Sequence, residues 1–405
     1  MRGKVNLTII VYFISLCLLI LITPPYGDPA VVLWTSKIMS ITGFPYDPVC
    51  SRNISKTADR VDLEFCVRSP LYYMLLGFSG EYYKIFLIIL VGVYLIIQIS
   101  LTHSIGLSST VYALMFPPIY LLFSRTYVDS LTVILSTTLL TALIKAKTES
   151  DKYYKILLFS TPLLLMLTRE SSVALPFLLL IIFLMERNFK DKNLLIVFLG
   201  WVAGFSIYHL YITLSGGVYY SDFQLHIPSL EEIYRALMTV STPVLPWEIS
   251  PQDLQAYLHI SKYIDRLTLI IRLTIHLLAV MVLVPLILSL TRIRDFHKVI
   301  VGWFIFGLLI SLGLLFLKGD IDFFRHLSYL IPAIPLLIEH GLVKVEKYSR
   351  IGALFIKISY TLLFTLYFVR TIRLYTSGYV FDSCQYLLKR PEISSVDFFY
   401  KTACD

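Results

Sequence analysis

Apolar runs of helical length, separated by short polar segments, follow one another along almost the whole chain. An apolar helix of about 20 residues crosses a hydrocarbon core of roughly 30 Å. The runs lack the apolar/polar alternation of membrane barrel strands, and a backbone in lipid must satisfy its own hydrogen bonds, so they predict helices. We therefore predict an all-α, polytopic membrane protein with about eleven transmembrane spans, at residues 7–23, 83–100, 106–123, 130–144, 154–167, 172–185, 194–214, 267–290, 299–317, 326–342 and 351–369.

The fifth and sixth of these spans are short, and a polar stretch from Thr168 to Ser172 separates them. Polar, non-helical backbone at membrane depth is tolerated where it is buried in protein or lines a cavity. We therefore predict that the two helices turn back inside a cavity lined by the protein.

The longer connections on one side of the predicted bundle are all basic. The positive-inside rule assigns such connections to the cytoplasm, so the N-terminus is predicted to lie inside and the C-terminus outside. The basic residues that support this orientation are Arg2, Lys4, Lys145, Lys147, Lys152, Lys155, Arg187, Lys190, Lys192, Arg292, Arg294, Lys298, Lys344, Lys347 and Arg350.

The chain is predicted to form one integral membrane domain, 1–405, with its long polar segments on the outer side. These are a first outer loop after helix 1, at 24–82, a second after helix 7, at 215–266, and an outer C-terminal tail at 370–405. A large loop directly after the first helix is unusual in a polytopic protein.

Composition narrows the class further. Hydrophobic residues make up 57% of the chain and charged residues 15%, which is more apolar surface than a soluble domain needs. The formal net charge is +8, but basic residues occur in twos to fours between apolar helices and form no continuous patch. A nucleic-acid partner is therefore not expected.

Four of the five cysteines fall on the predicted outer side. In an oxidising compartment they are expected to form two disulfides, most simply Cys50 with Cys66 and Cys384 with Cys404, although four cysteines allow three pairings. No His lies among them at zinc-like spacing, so a metal site is the lesser alternative.

The first outer loop is predicted to begin with a helix lying outside the membrane. Asp28 suits the N-cap, Pro29 the first helical position and Gly43 the C-terminal stop. Val31, Trp34, Ile38 and Ile41 share one face, which is expected to rest on the membrane interface. Asp28 is then either a plain helix cap or a carboxylate at the membrane rim that acts as a general base.

A first helix, an outer Asp28, an amphipathic helix, Gly43-Phe44-Pro45-Tyr46 and a segment from Ser69 to Tyr73 follow in that order. This order resembles the integral-membrane glycosyltransferases of the C superfamily, such as protein mannosyltransferases and aminoarabinose transferases. The resemblance implies that Asp28 is the catalytic base and that Tyr72 contacts substrate. Ser69 replaces the usual first proline, and the usual acidic pair is reduced to Asp28-Pro29, which weakens a metal-dependent reading.

Three further polar sites fit the same resemblance. The segment from Arg125 to Asp129 is similar to the family's second acidic site, with Asp129 catalytic and Arg125 contacting substrate; the alternative is an interfacial Arg and a helix-capping Asp. Arg169 is next to Glu170 at a helix break, where a self-neutralising pair is favoured over a contact with the donor.

The third site precedes a Leu-x-Pro-x-x-Pro helix at 330–335. There the resemblance implies that Arg325 and His326 bind the donor's phosphate, with His326 in place of the usual Tyr. Arginine suits this task because its planar fork stays charged and matches phosphate oxygens. The alternative is a basic flank that anchors the tenth span.

The resemblance implies an inverting transfer of a sugar from a polyprenyl phosphate, such as dolichyl phosphate, at the non-cytoplasmic face of the plasma membrane or endoplasmic reticulum. The acceptor is a glycan, a lipid or a protein. No cofactor is firmly implied, and a divalent metal has little support. Two other classes stay open: a transporter or lipid flippase, whose sites usually lie near mid-membrane on broken helices, and a non-catalytic scaffold subunit.

Overall fold

A computed structural model describes residues 7–25, 27–57, 60–106, 111–148, 151–186, 192–219, 226–243, 264–291, 298–318, 323–376 and 381–404. Nearly all of this is helical. The helices are α1 (Leu7–Ile22), α2 (Asp28–Thr42), α3 (Pro70–Ser79), α4 (Tyr83–Ser104), α5 (Val111–Leu114), α6 (Pro117–Phe123), α7 (Asp129–Thr148), α8 (Lys152–Thr168), α9 (Leu175–Glu186), α10 (Lys192–Ser215), α11 (Leu230–Ser241), α12 (Ile264–Leu290), α13 (Lys298–Lys318), α14 (Ile334–Tyr348), α15 (Arg350–Thr376), α16 (Ser383–Leu388), α17 (Pro391–Ser394) and α18 (Asp397–Cys404).

Within the described residues, six helical stretches are long and apolar enough to cross a membrane. They are Pro70–Ser104, Asp129–Lys147, Lys192–Ser215, Asp265–Leu290, Lys298–Phe316 and Arg350–Thr376, and the shorter apolar stretch Ile9–Ile22 belongs to α1. These stretches indicate a helical membrane protein. The count of eleven crossings and their orientation stay predictions.

Two of the predicted spans are not continuous helices. The third, 106–123, is divided into α5 and α6 around Phe116, whose backbone is extended, because a proline disfavours the helical conformation of the residue before it. All seven residues of α6 are buried in the protein. The tenth, 326–342, begins instead as a 3-10 turn, Phe323–Tyr329, and α14 starts only at Ile334, after Pro332 and next to Pro335.

The predicted first outer loop contains strands as well as the expected helix. β1 (Tyr46–Thr57) pairs antiparallel with β2 (Arg60–Val67), and helical structure resumes at Pro70, before the predicted end of the loop. β2 also pairs in parallel with β3 (Val218–Tyr219), so a small sheet joins the first predicted outer loop to the start of the second. This sheet departs from a strictly all-α fold.

α2 ends as expected, at Gly43 in the left-handed conformation with φ 78°, but its N-terminus differs from the prediction. Gly27 is the N-cap, and its carbonyl oxygen accepts the amide of Ala30 at 3.0 Å. The side chain of Asp28 makes no capping bond and is free to contact other parts of the protein.

The C-terminal segment covers the middle of the face of α2 that was expected to rest on lipid. Trp34 and Ile38 are buried in a second hydrophobic cluster with Leu387, Ile393 and Phe399. The Trp34 indole donates a hydrogen bond to Thr402 at 2.8 Å. The interface prediction is therefore wrong for Trp34 and Ile38, because the C-terminal segment supplies their apolar partner, whereas Ile41 on the same face is exposed.

Both predicted disulfides are present, and they lie near the contact between α2 and the C-terminal segment. Cys50 is joined to Cys66 and Cys384 to Cys404, with Cα–Cα distances of 5.5 and 4.6 Å. The first links β1 to β2, and the second closes the α16–α18 segment that packs on α2. The fifth cysteine, Cys17 in α1, is free.

Glycines allow neighbouring membrane helices to approach closely. A Cβ added at Gly204 of α10 would lie 2.8 Å from the backbone of Leu163 in α8, and Gly200 meets the backbone of Phe159 one turn earlier. Small residues at such crossings are typical of helix packing in membranes, because they let backbones come into contact.

We expect Gly204→Ala to lower the stability of the protein by about 1–3 kcal/mol, because the added methyl group must push two backbones apart. The matched control is Gly313→Ala in α13, where a Cβ meets nothing within 4 Å. Thermal unfolding in detergent micelles measures both. Equal melting temperatures for the two variants would contradict the close α8–α10 contact.

Candidate functional site

Four charged side chains from separate segments meet at one end of the helical bundle. Asp28 starts α2, Asp129 starts α7, Arg169 follows α8, and Arg325 lies in the 3-10 turn Phe323–Tyr329. The sequence predicted a role for each, and the fold brings all four together. Each is at a helix end or a turn, where the side chain can leave the helix packing.

The four groups alternate in sign. Arg325 Nη1 forms an ion pair with Asp28 Oδ2, and its Nε lies 3.7 Å from Asp129 Oδ2. The other oxygen of Asp129, Oδ1, pairs with Arg169 Nη1. The result is a chain of charges, Asp28, Arg325, Asp129 and Arg169, which we call the charge chain.

Within the charge chain, exposure is greatest at Asp28 and least at Asp129, which lies between the two arginines. The Asp129 side chain is 2% exposed and that of Arg169 13%, whereas Arg325 is 22% and Asp28 56% exposed. Asp129 is therefore a buried anion held between two guanidinium groups. Asp28 is the carboxylate that a molecule outside the protein can reach.

Arg169 is fixed by more than its ion pair. Its Nη1 also donates to Ser328 Oγ at 3.1 Å and to the carbonyl oxygen of Arg325 at 3.4 Å. Burial lowers the pKa of the Arg169 guanidinium to about 10, because desolvation disfavours the charged form. It still carries its charge at neutral pH.

The predicted self-neutralising pair of Arg169 and Glu170 is not formed. Glu170 Oε1 accepts the backbone amide of Ser69 at 2.8 Å, at the N-terminus of α3. The neighbouring Ser172 hydroxyl contacts the Tyr329 hydroxyl at 2.6 Å. The polar stretch after α8 thus links α3 and the Arg325 turn, because each polar group finds its partner on a different element.

Two tyrosines that were not predicted as site residues, Tyr127 and Tyr367, contact Arg325 and Arg125. The Arg325 guanidinium lies over the ring of Tyr127, 4.9 Å from its centroid. Arg125 donates from Nη1 to the Tyr127 hydroxyl at 3.4 Å and from Nε to the Tyr367 hydroxyl at 3.2 Å. Tyr127 falls inside the singled-out segment from Arg125 to Asp129, whereas nothing in the sequence pointed to Tyr367.

A small cleft that opens to solvent adjoins this end of the bundle. The Thr126 hydroxyl holds one wall by donating to the Pro29 carbonyl oxygen at 2.8 Å, next to Asp28. The lining residues are Ile20, Thr23, Pro24, Pro25, Pro29, Tyr83, Leu87, Ser124, Arg125 and Thr126. Arg125 is the charged group of this cleft, which otherwise presents prolines, apolar side chains and hydroxyls.

Two predicted site residues lie in the protein interior. His326 is 3% exposed, and its carbonyl oxygen accepts the Ser311 hydroxyl at 2.8 Å. Tyr72 has no exposed surface and packs against Tyr73 and Phe86. Neither side chain reaches the open end of the charge chain, because both follow the buried face of their own segment.

Among the residues that the structure describes, no group of three or more His, Cys, Asp or Glu side chains is arranged to hold a metal ion. Asp28 and Asp129 are instead separated by Arg325. A guanidinium occupies the position between the two carboxylates.

Comparison of the chain with protein-family models, with curated proteins and with solved structures finds no match. The apolar helices define the class as a helical integral membrane protein.

We expect Asp129→Asn to destabilise the protein by about 3–5 kcal/mol, because it leaves two partly buried guanidinium groups without their shared anion. Asp28→Asn is the matched control, since removing an exposed ion pair costs about 1 kcal/mol or less. Thermal unfolding in detergent compares the two. A loss at Asp129 no larger than that at Asp28 would contradict the arrangement.

Proposed function

We propose that this chain is a membrane glycosyltransferase resembling the C superfamily, which moves a sugar from a polyprenyl phosphate, such as dolichyl phosphate, to an acceptor at the non-cytoplasmic face. The observation that supports this most is the contact between Asp28 and Arg325. A reachable carboxylate and an arginine, a residue type suited to binding phosphate, lie side by side at the ends of apolar helices that can meet a lipid donor.

Asp28 is the proposed general base. It takes the proton from the acceptor while the acceptor oxygen bonds to the anomeric carbon, and the bond from that carbon to the phosphate oxygen breaks. Attack opposite the phosphate inverts the anomeric configuration. The leaving polyprenyl phosphate keeps the bonding electron pair, and Arg325 stabilises its developing charge. Positioned proton transfer of this kind typically contributes about 10²- to 10⁴-fold.

The ion pair between Asp28 and Arg325 gives this proposal an order of events. While Asp28 Oδ2 is paired with Arg325 Nη1, the guanidinium occupies the oxygen that would otherwise face the acceptor hydroxyl. A donor phosphate competes with Asp28 for Arg325. Donor binding therefore frees Asp28 for the acceptor, and the base becomes available only when there is a sugar to transfer.

Asp129 and Arg169 take positioning roles in this proposal, in place of the catalytic role expected for Asp129 and the phosphate contact expected for Arg169. Asp129 is buried between both arginines, so it orients Arg325 and does not meet substrate. Arg169 holds Asp129 and the Arg325 turn. Arg125, in the adjoining cleft, remains the proposed substrate contact.

The two other classes explain the charge chain less well. A transporter usually has its polar site near mid-membrane on broken helices, whereas these groups are at helix ends. A scaffold subunit has no need for a carboxylate that is half exposed yet paired with an arginine. The buried part of the charge chain suits any of the three classes, so Asp28 discriminates among them.

We expect Asp28→Asn to reduce sugar transfer by about 10²-fold or more, because the amide cannot accept the proton. The assay follows transfer from labelled polyprenyl phosphate sugars to acceptors in membranes that carry each variant. Asp397→Asn is the matched control, since Asp397 is an exposed carboxylate in α18 and pairs with Lys401. Transfer by Asp28→Asn at the parent rate would refute the base assignment.

The proposed orientation predicts opposite labelling of two exposed lysine positions. In sealed, right-side-out vesicles, a membrane-impermeant maleimide should label Lys389→Cys in the outer tail and spare Lys152→Cys in an inner connection. Permeabilised vesicles, in which both should react, give the control. Labelling of Lys152→Cys in sealed vesicles would overturn the orientation.

A further inference from the structure

α11 is a short helix with two different faces. Glu231, Glu232 and Arg235 lie on one side, and Arg235 pairs with Glu231 at 2.5 Å. The other side carries apolar residues at helical spacing that are partly or largely exposed: Ile227 just before the helix, then Leu230, Ile233, Tyr234 and Leu237. Leu230 is 87% and Leu237 55% exposed, so no part of the described chain packs over them.

Contacts with two apolar helices, α12 and α13, fix the position of α11 along the axes of these helices. The His226 amide donates to the carbonyl oxygen of Phe316 at 2.7 Å, and Phe316 is the last residue of the apolar stretch in α13. Tyr234 hydrogen-bonds His276 in α12, one turn after Arg272. α11 therefore lies where the charged ends of these helices give way to their apolar parts.

The N-terminus of α11 is built to form without help from a partner. Ser229 and Glu232 make a capping box, and Glu232 also contacts His226 Nε2 at 2.9 Å. The backbone amide of Ser229 and the His226 side chain hold the pKa of Glu232 at about 2, so its charge persists at neutral pH. The helix is thus ordered, with its apolar stripe already exposed.

We propose that α11 is an in-plane membrane helix, whose stripe of Leu230, Ile233, Tyr234 and Leu237 inserts into the headgroup and acyl-chain boundary of the bilayer. Its twelve residues span about 18 Å, too short to cross a hydrocarbon core of roughly 30 Å. A high contrast between an apolar and a charged face is the pattern of helices that lie in the interface.

The neighbours of α11 indicate that lipid, and not another protein, covers its apolar stripe. α11 packs beside apolar helices that are long enough to cross a membrane, and their apolar surface favours lipid around them. Its inner residues Ala236, Met238 and Thr239 are buried against the protein, which leaves the stripe pointing away from the bundle. Because lipid covers such a stripe without another chain, this surface needs no further partner.

The position of α11 also connects the membrane surface to the charge chain. α11 packs against the 3-10 turn Phe323–Tyr329, which carries Arg325, and against α6, which leads to Arg125. If α11 is anchored in the membrane interface, it holds these segments at a fixed depth relative to the membrane surface. This inference needs no sugar transfer and stands apart from the proposed function.

Spin labels on single cysteines test the proposal in the full-length protein, reconstituted in phosphatidylcholine vesicles. The labelled positions are Leu230→Cys and Leu237→Cys on the stripe and, as matched controls on the charged face, Glu231→Cys and Arg235→Cys, all with Cys17→Ser. Because Leu230, Leu237 and Glu231 are exposed and Arg235 is partly exposed, the substitutions should leave the protein folded, which the melting temperature checks. Collisions with oxygen and with a water-soluble nickel complex then report the depth of each label.

We expect the stripe labels to meet oxygen, to exclude nickel and to lie about 5–10 Å below the phosphates, and the control labels to meet nickel freely. Nickel access at Leu230 and Leu237 equal to that at Glu231 would overturn the proposal, because the stripe would then face water. Shielding of the stripe labels from both reagents would also overturn it, since a second copy of the chain or another protein would then cover the surface.

Discussion

Asp129 carries its charge where water hardly reaches, and the arrangement around it follows from that constraint. An isolated carboxylate in such a place costs several kcal/mol, so it needs cations close to both oxygens. Arg169 and Arg325 supply them from segments far apart in the chain. These two ion pairs join the start of α7, which carries Asp129, to the break after α8 and to the 3-10 turn before α14. Arg325 still has a second side, which holds Asp28 at the surface.

The same constraint separates the two carboxylates by role. Asp129 is enclosed and neutralised on both sides, and what it contributes is the orientation of the two arginines. Asp28 begins a helix that is itself supported by a disulfide-closed tail, and its carboxylate has a single charged partner. A ligand phosphate can take that partner without disturbing the buried part of the charge chain. The buried groups thus keep Arg325 in place while its ion pair with Asp28 can be exchanged for a phosphate, as the proposed chemistry requires.

Prediction from the sequence worked best where one local signal was enough. Lengths of apolar runs led to the apolar helices, Gly43 to the end of α2, and the sorting of the cysteines to both disulfides. The motifs singled out Asp28, Asp129, Arg169 and Arg325, which the fold brings into one charge chain. Local signals failed where the partner is distant in sequence: Trp34 looked lipid-facing because its cover, Phe399, comes some 360 residues later. His326 and Tyr72 were chosen by motif, yet both side chains are buried.

By itself, the sequence determined that this chain is helical and belongs in a membrane, because apolar length and backbone hydrogen bonding in lipid are properties of single segments. It also determined which residue types were available at the helix ends. The tertiary structure decided which charge pairs with which: Glu170 turned to Ser69 and Arg169 to Asp129, against the pairing of sequence neighbours. The reason is that burial removes water as a partner, so each charged group must be matched by whatever the packed helices bring within reach.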